Sequence, residues 1–483
     1  MPAMAGLGLG SLLAPGDAAA HTYIQPYTLP VPFSLYLYAC AGTLVLTFAA
    51  LGIFVGAPGR ASMRGAGIAV RPAAGVLARP AVWLLRGAAA ALLALTIVAG
   101  LVGTLSPLAN IAVPLFWIGF LLAFTYATAI IGDLYSLANP WRLLVAGLEA
   151  LRLDLTKPRA PYPRRLGYLP AFAFYLALVW IELFWLPKPA TLSGVLLAYT
   201  GLTLLGTWRF GKVAWLEHGE IFAVFFRLVG TLAPIAYRPR ADGAAELRLR
   251  LPLMGAAEES AGHLSLLLFV LFMLAATTYD AMHDTVFWVG LFWQNALSLL
   301  RPLWGSDMAR AQAALAGWFT LYQRAGLVLL PFLYLAIYLL VMRAMKALTG
   351  TALSTQELGL RFAFSLIPIA IVYNAAHYYT LILGEIPLAP YLASDPFGFH
   401  WNLLGLARDL SDPPTLDMGQ VWHTEVALSL AGHLASVYLA HLIALRLFPT
   451  RRQALLSQLP VLALMVAYTL VGLWVLALPL ALH

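Results

Sequence analysis

Residues 456–480 read LSQLPVLALMVAYTLVGLWVLALPL, twenty-five positions without a charged side chain. A bilayer span needs roughly 20 consecutive apolar residues, so this stretch predicts a transmembrane helix. The whole chain has the same character. Of its 483 residues, 61% are hydrophobic and 10% are charged, and the mean hydropathy is +0.83. A soluble domain carries roughly 25% charged residues, and no soluble protein of this size could cover so much apolar surface. Backbone polar groups in hydrocarbon must be satisfied internally, which leaves helices or closed barrels. The apolar runs are continuous, with none of the alternation of barrel strands, so the spans are helices.

Runs of this kind, bounded by charge, predict spans near 33–56, 80–105, 108–132, 166–186, 191–208, 262–282, 318–343, 359–384, 421–446 and 456–480. Two further apolar pieces, 219–236 with Arg227 inside it and 284–300, read equally as short spans, re-entrant pieces or interfacial helices. The expected fold is an all-α integral membrane protein. It is a single bundle of about 10–12 transmembrane helices with one or two re-entrant or interfacial pieces. No linker or internal repeat divides residues 21–483.

Residues 1–20 resemble a signal peptide, ending in Ala18-Ala19-Ala20, although a charged start is lacking and Gly and Pro interrupt the apolar part. Cleavage after Ala20 would leave His21 first. Its free amine and imidazole together can chelate copper, which favours nitrogen ligands. The alternative is that His21 merely begins an external tail.

Direction follows from Lys and Arg in short loops. Segment 57–79 holds Arg60, Arg64, Arg71 and Arg79, and segment 140–165 holds Arg142, Arg152, Lys157, Arg159, Arg164 and Arg165. Segment 238–261 adds Arg238, Arg240, Arg248 and Arg250, and later turns carry Arg343, Lys346, Arg446, Arg451 and Arg452. The loops SPLAN and PKPAT between them carry Lys188 alone. Alternation holds if the basic segments are cytoplasmic and both termini are outside, with 219–236 re-entrant or interfacial. The net charge of +8 is thereby explained by topology. It points to the lipid bilayer as partner and not to nucleic acid. Cys40 is the single cysteine, which excludes a disulfide within the chain.

A charged side chain at the membrane centre costs at least ~2.5–3.5 kcal/mol, so each one needs a reason. Glu182 lies in LVWIELFWLP, and Asp280 lies in ATTYDAMHDT with His283 and Asp284 one turn on. Tyr373, Asn374, His377 and Thr380 form a stripe in IVYNAAHYYTLIL, and Ser429, Gly432, His433, Ser436 and Ala440 form one in VALSLAGHLASVYLAH. At roughly 1.5 Å per residue, His377 lies roughly 10 Å and His433 roughly 18 Å below the outer end of their helices. Glu182 and Asp280 lie within roughly 6 Å of theirs, while His441 falls near the cytoplasmic end. Glu182, Asp280, His377 and His433 are thus expected to converge in the outer half of the bundle. A set of His and carboxylate suits Zn, Cu, Fe or Mn. The competing interpretation is that each polar residue bonds a neighbouring helix and sets its register. No HExxH, CxxC, P-loop or nucleophile elbow fixes another chemistry.

Several stretches, in this order, resemble the fenitrothion hydrolase family of bacterial polytopic membrane proteins: GDLYSLANPWR, WIELFW, FGKVAWLEHGEIF, TTYD, YNAAHY, SDPFGFHWNLLG and GHLASVYLAH. The resemblance begins at HTYIQPYTLPVPF and covers nearly the whole chain after residue 20, departing from the family within HTYIQPY. It implies a bacterial inner membrane, hydrolysis of organophosphate triesters, and importance for Glu182, Asp280, His377, His433, His441 and His21. In that chemistry His377, His433 and Asp280 hold a divalent transition metal, Zn or Cu foremost. Glu182 orients or deprotonates the attacking water, and the lipophilic substrate arrives through the bilayer. Asn374, one turn from His377, is expected to hold the imidazole or a bound water. The alternative function is a metal or small-solute permease, or a metal-handling subunit of a larger membrane complex with a partner membrane subunit. A permease would need a path through the inner half, for which His441 and Glu220 are the candidates.

Overall fold

The computed structural model describes residues 31–55, 75–152, 154–155, 157–185, 188–240, 242–304, 308–406 and 416–479. His21 and the leader fall outside the described residues. Helices dominate: α1 (Phe33–Phe54), α2 (Arg79–Val102), α3 (Ala112–Ile131), α4 (Pro140–Ala150), α5 (Leu169–Trp185), α6 (Pro189–Phe210), α7 (Lys212–His218) and α8 (Ile221–Gly230). The second half contributes α9 (Leu264–His283), α10 (Val286–Trp304), α11 (Met308–Thr349), α12 (Thr355–His377), α13 (Met418–Leu447) and α14 (Arg451–Leu476). Among the described residues nine of these helices are long and apolar enough to cross a membrane, and α5, α8 and part of α10 are shorter apolar helices. The chain is a helical membrane protein.

Local chemistry starts and stops the helices where the charge pattern changes. Pro189 occupies the first turn of α6, where its missing N–H costs nothing. The side chains of Glu220, Asp417 and Thr450 accept from the free backbone N–H groups at the starts of α8, α13 and α14. At the start of α12, Ser354 and Glu357 form a reciprocal capping box. The most enclosed span is α9, with 83% of its apolar window buried, so it forms the centre of the bundle.

Each of the ten expected spans coincides with a helix, with two differences, and one of the two ambiguous pieces is resolved as well. The span expected at 318–343 belongs to a helix of 42 residues that begins at Met308. The one expected at 359–384 is interrupted: a 3-10 turn at Ala363–Leu366 precedes Ile367–His377, and Tyr378 breaks the helix before Tyr379–Glu385. Segment 219–236 holds the short helix α8 and the start of a strand.

That strand belongs to a feature the all-α expectation lacked. Three short strands, β1 (Gly75–Leu77), β2 (Ile235–Pro239) and β3 (Ala245–Leu249), form an antiparallel sheet in the order β1-β3-β2. Gly75 pairs with Leu247, and Tyr237 with the same residue from the other side. The sheet joins two of the basic segments at one end of the bundle. Other basic stretches meet at that end: Arg446 donates to Ala257 O at 2.7 Å, and Arg451 to the carbonyls of Gly52 and Ile53. Lys212 pairs with Glu149 at 2.8 Å, and the backbone of Arg159 donates to Arg209 O. The opposite end is tied by neutral contacts, with Thr104 N donating to Phe397 O at 2.8 Å and Val286 N to Pro479 O at 3.0 Å. The expected grouping of the basic loops on one side is thus present as contacts.

Candidate functional site

Three helices that are distant in sequence meet where the polar residues lie. Thr277 and Asp280 occupy successive turns of α9, and Asn374 and His377 occupy successive turns at the end of α12. Glu182 stands in the last turn of α5. His377 Nε2 is 2.8 Å from Asp280 Oδ2. Tyr378, the residue that breaks the helix, donates its hydroxyl to the same Oδ2 at 2.6 Å and approaches Glu182 Oε1 at 3.2 Å. A continuous chain of polar groups results: His377, Asp280, Tyr378, Glu182. It is enclosed, since Asp280 is 9% and Tyr378 8% exposed. One hydroxyl hydrogen serves one acceptor at a time. The two carboxyl groups therefore share the Tyr378 hydroxyl, and both of its contacts are hydrogen bonds only when one carboxyl carries a proton.

Asp280, Tyr378 and Glu182 of this chain form part of the wall of a cavity of about 890 Å³, and His377 stands behind Asp280. Glu182, Asp280, Asn374 and Tyr378 are its polar face, Lys188 and Glu385 also border it, and the remainder is largely apolar. One side is made by α3, which is π-helical over Leu115–Ala123 and contributes Trp117, Ile118, Leu121 and Leu122. Wide π-turns are rare and recur at functional sites. Ile221 and Phe222, at the start of α8, also line the cavity.

The expected residues are thus only partly brought together. Glu182, Asp280 and His377 are one assembly. Asn374 borders it but bonds elsewhere, accepting from Tyr126 OH at 2.8 Å and donating to Thr277 Oγ1 at 3.3 Å. It fixes α12 against α3 and α9 and makes no hydrogen bond to the imidazole. His433 does not join. Its Nδ1–H donates to Ser429 O at 2.7 Å, and its buried Nε2 has no partner among the described residues. The α13 residue within electrostatic range of His377 is Glu425. His433 lies eight residues beyond Glu425 on α13, a rise of roughly 12 Å along the helix, which is too far for its ring to reach the His377 pair. His441 is further still and fully buried, with Gln458 Oε1 at 2.9 Å and Val55 O at 3.2 Å. It links α13 to α14 and α1. Among the described residues, no group of three or more His, Cys, Asp or Glu side chains is set to hold a metal ion.

Sequence reasoning missed Tyr378, Tyr126 and Glu425. Two carboxylates in one apolar bundle demand donors, and the tyrosine directly after His377 was the available candidate. Glu220, assigned to the inner half, accepts from Tyr199 at 2.6 Å, Asn139 at 3.1 Å, Tyr135 at 3.2 Å and the backbone of Phe222 and Ala223. It is a fully engaged helix cap.

No protein-family model, no curated protein and no solved structure matches this chain.

Proposed function

We propose that the chain is a membrane-embedded hydrolase that takes a lipophilic phosphotriester into the cavity and cleaves it beside Asp280. The observation that carries this is the hydrogen-bonded series Asp280, Tyr378 and Glu182 in the wall of a large, mainly apolar cavity, with His377 behind it on Asp280. Small-molecule sites are usually apolar clefts of roughly 300–1,000 Å³ with a few convergent polar groups. The family resemblance supports the ester class.

Asp280 and His377, already paired, would supply two of the ligands that a divalent transition metal needs. Such an ion, when bound, lowers the pKa of its water to roughly 7 and polarises the phosphoryl oxygen. Glu182 takes the proton of the attacking water as its oxygen bonds phosphorus, one ester P–O bond breaks to release an alkoxide or aryloxide, and Tyr378 passes the proton between the two carboxyl groups, from which it goes to the leaving group. The apolar walls hold the ester substituents and keep bulk water from the reacting phosphorus. The long helices with α5 make ten spans, and α8 is re-entrant from the cytoplasmic side. Both termini lie outside a bacterial inner membrane. A permease is less well supported, because Glu220 and His441, the candidates for an inner path, are engaged by protein groups.

The test uses detergent-solubilised full-length protein, its metal content read by elemental analysis, and a chromogenic dialkyl aryl phosphotriester. Wild type should hydrolyse the ester, and Glu182→Gln should lose roughly 10²–10⁴-fold of the rate. Wild type that shows no hydrolysis with zinc or copper supplied overturns the proposal.

A further inference from the structure

The stripe of His433 lies outside the carboxylate site, yet it is not simply packed away. Ser429 Oγ, His433 Nε2 and Ser436 Oγ are buried and have no hydrogen-bond partner among the described residues. Their spacing of four and three puts them on one face of α13. Tyr373 Oη of α12 and Tyr468 Oη of α14 are buried and unpartnered in the same way. His433 is 3%, Ser436 0% and Tyr373 5% exposed.

These groups lie on α12, α13 and α14 about two close helix contacts, with the ring of Tyr468 stacked on Tyr334 of α11. A Cβ on Gly432 would come within 2.8 Å of Val372, so α13 presses on α12 one residue before Tyr373. A Cβ on Gly472 would come within 3.1 Å of the Tyr373 ring, so α14 closes on the same residue from another side. Tyr468 lies one turn before Gly472, and Ser429 nearly one turn before Gly432. Tyr373 is also within electrostatic range of Asp280 and Glu425. These contacts therefore adjoin the carboxylate site through Tyr373.

Buried polar groups are almost always satisfied, and those without a protein partner are met by ordered water that makes two to four hydrogen bonds. The Nδ1–H of His433 is committed to the Ser429 carbonyl, so Nε2 offers a lone pair and accepts. The serine and tyrosine hydroxyls can both give and accept. An acceptor and four hydroxyls about these contacts are what a short file of water needs.

We propose that α12, α13 and α14 enclose a file of bound water, lined by Tyr373, Ser429, His433, Ser436 and Tyr468, that adjoins the carboxylate site. The geometry stands independently of the hydrolytic reaction. The function it adds is a water store inside the bundle, next to the groups that use or release protons.

Millisecond X-ray footprinting of the reconstituted full-length protein in H2(18)O tests this, because side chains touching bound water gain labelled oxygen even when buried. Tyr338, fully enclosed and donating to Gly359 O at 3.1 Å, is the internal control. Tyr373 and Tyr468 should take up label well above Tyr338. The pair His433→Leu with Ser436→Ala should lower both to the control level. Wild-type Tyr373 and Tyr468 labelled no more than Tyr338 overturns the proposal, and that comparison needs no variant to fold.

Discussion

At the scale of single residues, the histidines divide by their partners. His377 bonds a carboxylate, His433 a carbonyl of its own helix, and His441 an amide oxygen and a carbonyl. His377→Ala should therefore strip metal from the purified protein, while His441→Ala and His433→Ala should leave metal per chain unchanged. His441→Ala should instead lower stability by about 1–3 kcal/mol, the cost of unpaired buried partners, read as an earlier thermal transition in detergent. Tyr378→Phe removes the hydroxyl shared by Asp280 and Glu182 and should reduce turnover by roughly 10–100-fold, as loss of a supporting hydrogen bond does. Tyr126→Phe frees only the Asn374 oxygen and should cost about 1 kcal/mol of stability with turnover intact. The meeting of Glu182, Asp280 and His377 was legible because membrane depth limits where charged groups can go. The bridging role of Tyr378 was not, since tyrosines are common in this chain and hydroxyl direction is a three-dimensional property.

Among elements, glycines separate close packing from open surface. Gly432 sits at the contact of α13 with α12, where an added Cβ would meet Val372 at 2.8 Å and Pro368 O at 3.1 Å. Gly194, on the exposed side of α6, has nothing within 4 Å of such a Cβ. Gly432→Leu should cost about 1–3 kcal/mol by overpacking. Gly194→Ala should be stabilising by up to about 1 kcal/mol through helix propensity. Opposite shifts of the unfolding temperature are the expected reading, and equal shifts would remove the packing argument for the α12–α13 seam. Helix positions follow from the length of apolar runs. The sheet does not, because the charge of AELRLR marks it as a basic loop and its short alternation is the only sign of a strand. The break at Tyr378 is likewise not legible, because no residue at that position is a helix breaker.

For the molecule as a whole, the basic loops gather at one end and the neutral loops at the other. Single-cysteine labelling in a Cys40→Ser background checks the sidedness. Asp242→Cys, in the β2–β3 turn, should react only from the cytoplasm, and Phe399→Cys only from outside. Exchanged sides would reverse the topology, and reaction of both from one side would overturn it. That the basic loops group together was expected from the arginine pattern, but the length of one helix was not. Helix α11, with 42 residues, is roughly 63 Å long, about twice the hydrocarbon thickness of a bilayer. Its first part pairs with α10 through Trp288 stacked on Tyr322 and Phe292 against Phe319, beyond the outer end of α9. At the root of this hairpin Tyr279 donates to the Gln323 carbonyl, and Tyr279 directly precedes Asp280. The contact between α9 and α11 is thus fastened one peptide from the carboxylate site, so the position of Asp280 is fixed by the α10–α11 pair as well as by α12.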